Sequence, residues 1–234
     1  MIPSRDSRAF WGFEDLALFL AAILPAWLVG MLLIRFGRTM APGAFSNNAV
    51  RALVFQSAIY ALLVGALYMV IAFRYGRPFW QSMGWVAPEK GKWWCILGGP
   101  ALAVGLSVLG VVLRAPAIPT PIESLISGRG SLLLVAFFAV VLGPVFEELL
   151  FRGFLQPLLQ RVLGAWPAIV LAATGFALLH GQEYQWAWQQ LLVVGLAGAA
   201  FGYARYKTRS TAAGALLHGG YNLTFFVGYL IQSR

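Results

Sequence analysis

Long uncharged apolar runs, separated by short polar segments, dominate this chain. A membrane-spanning helix needs about 20 apolar residues, and runs of this type without a signal for strands or turns predict helices. The pattern therefore predicts an all-α fold, a polytopic membrane helix bundle with about 7–8 transmembrane helices. Seven runs have the required character, at residues 16–34, 52–73, 93–113, 131–160, 165–180, 186–203 and 210–232. An eighth span requires that the fourth run is broken or that residues 10–13 enter the membrane.

The fourth run differs from the others because it carries charges. Glu147, Glu148 and Arg152 lie in its second half, and Gly143 and Pro144 come just before them. A proline inside a helix removes one backbone hydrogen bond and clashes with the preceding turn, so we expect a kink at this point.

Composition and charge narrow the class of protein. Hydrophobic residues make up 60% of the 234 residues and charged residues only 11%, against about 25% in a soluble domain. A soluble globule is therefore excluded. The net charge of +9 comes from basic residues scattered singly and in pairs. Because they form no contiguous patch, we expect membrane lipids and no nucleic acid as partners.

The distribution of basic residues predicts the orientation. With seven spans, and with Arg152 left out, ten Lys and Arg residues lie on the side of the N-terminus and six on the other side. Cytoplasmic loops carry the excess of positive charge. We therefore expect an integral membrane protein, in the plasma (inner) membrane, with a cytoplasmic N-terminus.

Two adjacent carboxylates within an apolar run point to a function. A charge at the centre of a span costs about 2.5–3.5 kcal/mol on insertion scales. Arg152 follows Glu148 by four residues, the spacing at which two helical side chains meet, so it can neutralise that carboxylate. Glu147 lies about 100° around the helix and remains chemically available. The alternative is a purely structural charge cluster between helices.

The only two histidines also lie in or at the end of apolar runs. His218 and Asn222 share one helical face, and Phe176 precedes His180 by the same interval. Taken alone, each histidine is typical of a hydrogen-bonded packing residue. Three glycines near His218 let another backbone approach closely, namely Gly214, Gly219 and Gly220.

Together these residues can support hydrolysis. A carboxylate and two imidazoles can hold and deprotonate a water, either with Glu147 as general base or with the histidines binding a divalent metal. Asn222 can donate to the oxyanion of an attacked carbonyl. A helical rise of about 1.5 Å per residue puts Glu147 and His180 at similar depth, and His218 about 10 Å away from that level. We infer peptide hydrolysis in a cavity open toward the cytoplasm, and we interpret Glu183 as a solvated loop charge.

The sequence resembles a known family at three motifs. EELLFR at residues 147–152, FALLH at 176–180 and HGGYN at 218–222 are similar to the motifs of the CAAX protease and bacteriocin-processing family of intramembrane proteases. This family, also called CPBP or Abi, includes the Ras-converting CAAX endopeptidases. The resemblance covers residues 131–232. It implies one integral membrane domain, with N-terminal helices of uncertain role at 1–130 and CAAX-protease-like catalytic helices at 131–234.

The resemblance also implies roles for individual residues. Glu147 would activate the catalytic water, His180 and His218 would complete the site, and Asn222 would contact the oxyanion or the water. The neighbouring ion pair would support them. The implied substrate is a membrane-associated or lipidated peptide.

Water activation by Glu147 requires no cofactor, whereas the alternative mechanism uses zinc. His180, His218 and Glu147 could supply three ligands and leave a fourth position for water. The chain lacks the HExxH arrangement on one helix. We therefore favour a glutamate-activated water without permanent zinc.

Two other classes of function stay open. Buried Glu, Arg and His residues also mark proton-coupled transporters and channels. Transport often predicts two similar halves, whereas the intramembrane ionisable groups here all lie in the second half. The third class is a noncatalytic membrane scaffold or immunity protein.

Overall fold

The computed structural model describes residues 9–88, 92–119 and 124–232, and within them the fold is all-α. Each of the seven predicted runs lies almost wholly on one long helix. Two short helices, Pro42–Phe45 and Phe79–Ser82, lie in the connections. The long helices are α1 (Phe13–Met40, interrupted at Ala22), α2 (Asn48–Arg74), α3 (Lys92–Val112), α4 (Arg129–Leu163), α5 (Ala165–Leu179), α6 (Trp188–Thr208) and α7 (Thr211–Gln232).

Four of these helices, α1 to α4, are long and apolar enough to cross a membrane, and α5 is a shorter apolar helix. Large hydrophobic side chains on the outside of the bundle, such as Val111 and Leu179, are about three-quarters exposed. Such a surface suits lipid. The chain is thus an integral membrane helix bundle, while the number of spans stays a prediction.

Local sequence explains where helices begin and end. The Asn47 side chain accepts hydrogen bonds from the backbone N–H groups of Ala49 and Val50, which caps α2. Ser131 makes a similar contact with the backbone N–H of Gly128 at the start of α4. Gly164, with a φ of +81°, separates α4 from α5 because this backbone conformation favours glycine.

Helix α4 contains two π-helical segments, Phe138–Leu142 and Leu149–Leu155, on either side of the α-helical turn Gly143–Glu148. Pro144 lies two residues after the end of the first segment, Leu142. A wider π turn makes room for a proline ring that would clash in a regular helix. The helix therefore continues through Pro144, and the two glutamates lie at the end of the α-helical turn, directly before the second π segment.

Helix α7 packs closely against α3 and α4 through small residues. A Cβ on Gly99 of α3 would lie 2.6 Å from Leu217 O. A Cβ on Gly219 would lie 2.7 Å from Val140 O, in the first π segment of α4. Only glycine permits such backbone proximity. The predicted close approach at the α7 glycines is confirmed.

Residues 9–12 pack against the second half of α4. The buried Trp11 donates a hydrogen bond from Nε1 to Phe154 O at 3.2 Å, and the two rings stack with centroids 5.8 Å apart. Arg161 also contacts Ala9 O. The N-terminal segment and the end of α4 therefore lie on the same side of the bundle.

Candidate active site

A buried ion pair lies at the centre of α4. Arg152 Nη1 is 2.7 Å from Glu148 Oε1, and both side chains are fully buried. Arg152 Nη2 also donates to Gly198 O of α6 at 2.6 Å. The guanidinium carbon lies 4.8 Å from the centre of the Phe176 ring. The ion pair expected from the i, i+4 spacing is present, and it joins α4 to α6.

The position of the Glu148 side chain also explains why α7 has a glycine at residue 214. Its second oxygen, Oε2, is buried and has no hydrogen-bond partner among the described residues. A Cβ on Gly214 would lie 2.8 Å from this oxygen. Any larger residue at position 214 would displace either the carboxylate or α7.

His218 links the two glutamates. Its Nδ1 lies 3.2 Å from Glu148 Oε1, and the side chain is almost fully buried. An ionised carboxylate only accepts hydrogen bonds, so Nδ1 carries the proton. The imidazole stacks on Phe201 with centroids 4.5 Å apart. These contacts fix the ring so that Nε2 lies 3.8 Å from Glu147 Oε2.

Glu147 is held more loosely than Glu148. Tyr60 of α2 donates a hydrogen bond to its Oε1 at 2.6 Å. The other oxygen, Oε2, accepts no hydrogen bond from the described residues, since 3.8 Å to His218 exceeds hydrogen-bond range. The Glu147 side chain is 19% exposed. One oxygen is thus anchored and the other is free.

Tyr60 was missed by the sequence analysis, since it lies 87 residues before Glu147 in the chain. Its ring stacks on Phe138 and packs against Phe146, both in α4. One general signal was available: a tyrosine hydroxyl in an apolar environment usually has a hydrogen-bond partner. Its contact shows that the first half of the chain also contributes to the site.

His180 lies at the C-terminal end of α5. Its Nδ1 is 2.8 Å from Phe176 O. A carbonyl oxygen only accepts, so Nδ1 donates this hydrogen bond. The Phe176 ring packs against both imidazoles, with centroids 4.6 Å from His180 and 5.7 Å from His218. Phe176 therefore lies between the two histidine rings.

Asn222 contacts the first π segment. Its Nδ2 donates to Ala139 O at 2.8 Å. A carboxamide nitrogen has two N–H donors. This hydrogen bond orients the side chain and leaves one donor for another acceptor.

The set His180, His218 and Glu147 does not fit a three-ligand zinc site. Across residues 9–88, 92–119 and 124–232, no three or more His, Cys, Asp and Glu side chains are grouped so that they could hold a metal ion. The arrangement gives the metalloprotease alternative no support.

Glu183, interpreted from the sequence as a solvated loop charge, is half-buried in the connection between α5 and α6. Burial raises its pKa above the ordinary value of a glutamate, and the Glu147 carboxylate raises it further, while His180 opposes the shift. Glu183 thus belongs to the electrostatic surroundings of the site.

A comparison with known protein families finds a match in the segment that contains the three motifs. Residues 129–224 match the family described as Rce1-like, type II CAAX prenyl endopeptidase Rce1-like. This segment contains all three motifs and begins where α4 begins. No curated protein and no solved structure matches the chain. Over residues 129–224, the chain is similar to this family, which supports the resemblance to the CAAX protease and bacteriocin-processing family at the three motifs.

Proposed function

We propose that this protein is an intramembrane endopeptidase that hydrolyses a peptide bond with a water activated by Glu147. The observation that carries the proposal is the asymmetry of the Glu147 carboxylate. Tyr60 anchors Oε1 and leaves Oε2 without a hydrogen bond from the described residues, beside His218 Nε2. A half-buried carboxylate with one fixed and one free oxygen is suited to act as a general base.

The gap between Glu147 and His218 is suited to a water. Glu147 Oε2 and His218 Nε2 are 3.8 Å apart. A water beside this gap can lie at about 2.8 Å from both atoms, within hydrogen-bond range.

The proposed reaction then follows in two steps. Glu147 takes a proton from the water while the oxygen attacks the carbonyl carbon of the substrate. The free N–H of Asn222 donates to the oxyanion that forms. In the second step Glu147 returns the proton to the amide nitrogen, the C–N bond breaks, and the products are an amine and a carboxylic acid, which then ionises by releasing its proton to water.

The buried ion pair supports this chemistry by holding His218. Glu148 accepts from both Arg152 and His218 through the same oxygen, Oε1. Donors and acceptors fixed in this way need little reorganisation during the reaction. We assign Glu148 and Arg152 a positioning role.

The proposed substrate is a membrane-associated, lipidated peptide cleaved near its C-terminus. The support is the matched family, whose description names prenyl endopeptidases. We place the enzyme in the plasma (inner) membrane, with its N-terminus and the opening of its site toward the cytoplasm.

Cleavage of a defined peptide tests the proposal. The purified protein in detergent is incubated with a farnesylated C-terminal tail peptide, and the products are identified by mass spectrometry. We expect two fragments from the wild-type protein and none from Glu147→Ala, with thermal unfolding of both proteins checked. Equal cleavage by the two proteins would refute the mechanism.

Removal of metal ions provides a second test of the proposed mechanism. Activity that persists after verified chelation supports the glutamate mechanism, and activity that is lost and then restored by zinc contradicts it. A flux across vesicles that depends on His218, without any peptide cleavage, would instead favour a transporter.

A further inference from the structure

A cavity of about 300 Å³ lies at the ends of α4 and α6, apart from the residues of the proposed active site. Its lining combines basic side chains with an amide and a phenol. The lining residues are Gln160, Arg205, Tyr206, Lys207 and Arg209. The lining thus carries three positive charges and no negative charge.

Arg205 is the central feature of this cavity. Its residue surface is only 9% exposed, and its buried Nε has no hydrogen-bond partner among the described residues. No ion pair joins it to an acidic side chain anywhere in the described ranges. Arg152, the other buried arginine described, contacts both a carboxylate and a carbonyl. A buried guanidinium without an anionic partner is strongly unfavourable, and since the described residues supply none to Arg205, a bound anion would satisfy it.

A second lining residue, on another helix, also carries an unpartnered donor. Nε2 of Gln160, in the last turns of α4, is buried and has no acceptor among the described residues. The space for Arg205 depends on Gly84, whose φ is +67° and where a Cβ would lie 2.5 Å from Arg205 Nη2. Residues of α4 and α6 therefore line one cavity, beside a backbone that leaves room for the Arg205 guanidinium.

Aromatic residues place this cavity at the membrane surface. Trp166 of α5 stacks on Tyr203 with centroids 5.9 Å apart and also packs against Tyr206. All three rings are at least 40% exposed. Lys207 Nζ lies 5.6 Å from the centre of the Tyr203 ring. Exposed Trp and Tyr with adjacent Lys and Arg are typical of the headgroup level of a bilayer.

We propose that this cavity binds the phosphate group of an anionic membrane lipid. A phosphate offers several oxygens to the Arg205 fork and to the Gln160 amide, while Lys207 and Arg209 add attraction from the rim. Inorganic phosphate has the same chemistry, but the aromatic cluster favours a lipid. The site lies on the same side of the bundle as the N-terminal segment.

Thermal unfolding in the presence of defined lipids tests this site. The purified protein in a zwitterionic detergent is titrated with phosphatidylglycerol, phosphatidylcholine or inorganic phosphate. Four proteins are compared: wild type, Arg205→Gln, Lys207→Gln and the control Arg38→Gln. Arg38 is an exposed basic residue on α1 that does not line the cavity.

We expect phosphatidylglycerol to raise the unfolding midpoint of wild type and Arg38→Gln by several degrees, since a ligand bound to the folded state stabilises it. The rise should be lost in Arg205→Gln and reduced in Lys207→Gln, and phosphatidylcholine should have little effect. The exposed Lys207 keeps the test informative if Arg205→Gln does not fold. Equal rises in all the folded variants would overturn the proposal. A rise with inorganic phosphate alone would overturn the assignment to a lipid.

Native mass spectrometry tests lipid binding independently. Wild-type protein mixed with phosphatidylglycerol should retain one lipid molecule per chain at low lipid excess. Lys207→Gln should retain less, whereas Arg38→Gln should match the wild type. Identical retention by Lys207→Gln and wild type would contradict the proposed site.

Discussion

Replacement of Tyr60 by phenylalanine removes one hydrogen bond from the proposed general base. The Tyr60 hydroxyl donates to Glu147 Oε1 at 2.6 Å. Phenylalanine keeps the ring that stacks on Phe138 and packs against Phe146. The substitution therefore changes the position of the carboxylate while it preserves the packing around it.

The size of the effect follows from the type of hydrogen bond. A hydrogen bond to a charged group contributes about 1.5–3 kcal/mol, and each 1.4 kcal/mol changes a rate about tenfold. If this energy serves to orient Glu147 in the transition state, kcat/KM should fall by about 10- to 150-fold. The loss should appear in kcat, because Tyr60 acts through Glu147 and is assigned no contact with the substrate.

The assay is cleavage of a lipidated peptide over a range of concentrations, so that kcat and KM are separated. Tyr68→Phe is the matched control, because Tyr68 lies on the same helix, is 48% exposed and has a ring contact with Phe79 as its described interaction. We expect Tyr68→Phe to retain wild-type kinetics. Equal kinetics for Tyr60→Phe and Tyr68→Phe would refute the positioning role.

Three further substitutions test the surroundings of the site. Gly214→Ala places a Cβ 2.8 Å from Glu148 Oε2 and should lower both thermal stability and activity, whereas Gly228→Ala on the same helix, with nothing within 4 Å, should lower neither. Arg152→Gln removes the cationic partner of a buried carboxylate and should destabilise the protein by about 3–5 kcal/mol in chemical unfolding; a loss below about 1 kcal/mol would contradict this. Burial raises the pKa of Glu183, so the folded state binds more protons than the unfolded state at pH values between the unfolded pKa of about 4.5 and the higher folded pKa. The free energy of unfolding of the wild type should therefore fall as pH rises through this interval. Thermal unfolding of Glu183→Gln, measured across the same pH range, should show a smaller loss of stability. The same pH dependence in the variant and the wild type would contradict this prediction.

The helices and several site contacts could be predicted because they depend on local patterns. Apolar runs of bilayer length gave the long helices, and the i, i+4 spacing gave the Glu148–Arg152 pair. The same interval indicated the contact of Phe176 with His180. Patterns of this kind are visible in the sequence because both partners lie on one helix.

Contacts between helices could not be predicted in the same way. The hydrogen bond from Tyr60 to Glu147 joins residues far apart in the chain, and no periodicity reports it. The π segments of α4 were missed because one additional residue per turn barely changes an apolar pattern. Depth arithmetic separated His218 from Glu147 by about 10 Å, yet the two side chains are 3.8 Å apart. That arithmetic assumed parallel, regular helices that begin at the same level.

The first half of the chain is more closely connected with the site than the sequence indicated. Tyr60 of α2 anchors Glu147, and Gly99 of α3 meets the backbone of α7 at Leu217. The proposed division at residue 130 separates segments that contribute to one set of contacts. Substitutions in α2 and α3 should therefore affect activity as well as membrane insertion.

The central claim is that Glu147 is the general base, and a comparison of two glutamates tests it most directly. Glu147→Gln and Glu183→Gln make the same chemical change at neighbouring positions, one proposed to accept the proton and the other not. Loss of a general base reduces rates by about 10²- to 10⁴-fold. We therefore predict that peptide cleavage by purified, folded Glu147→Gln falls by at least about 100-fold, while Glu183→Gln stays near the wild-type rate. Cleavage by Glu147→Gln at a rate similar to that of Glu183→Gln would contradict the account.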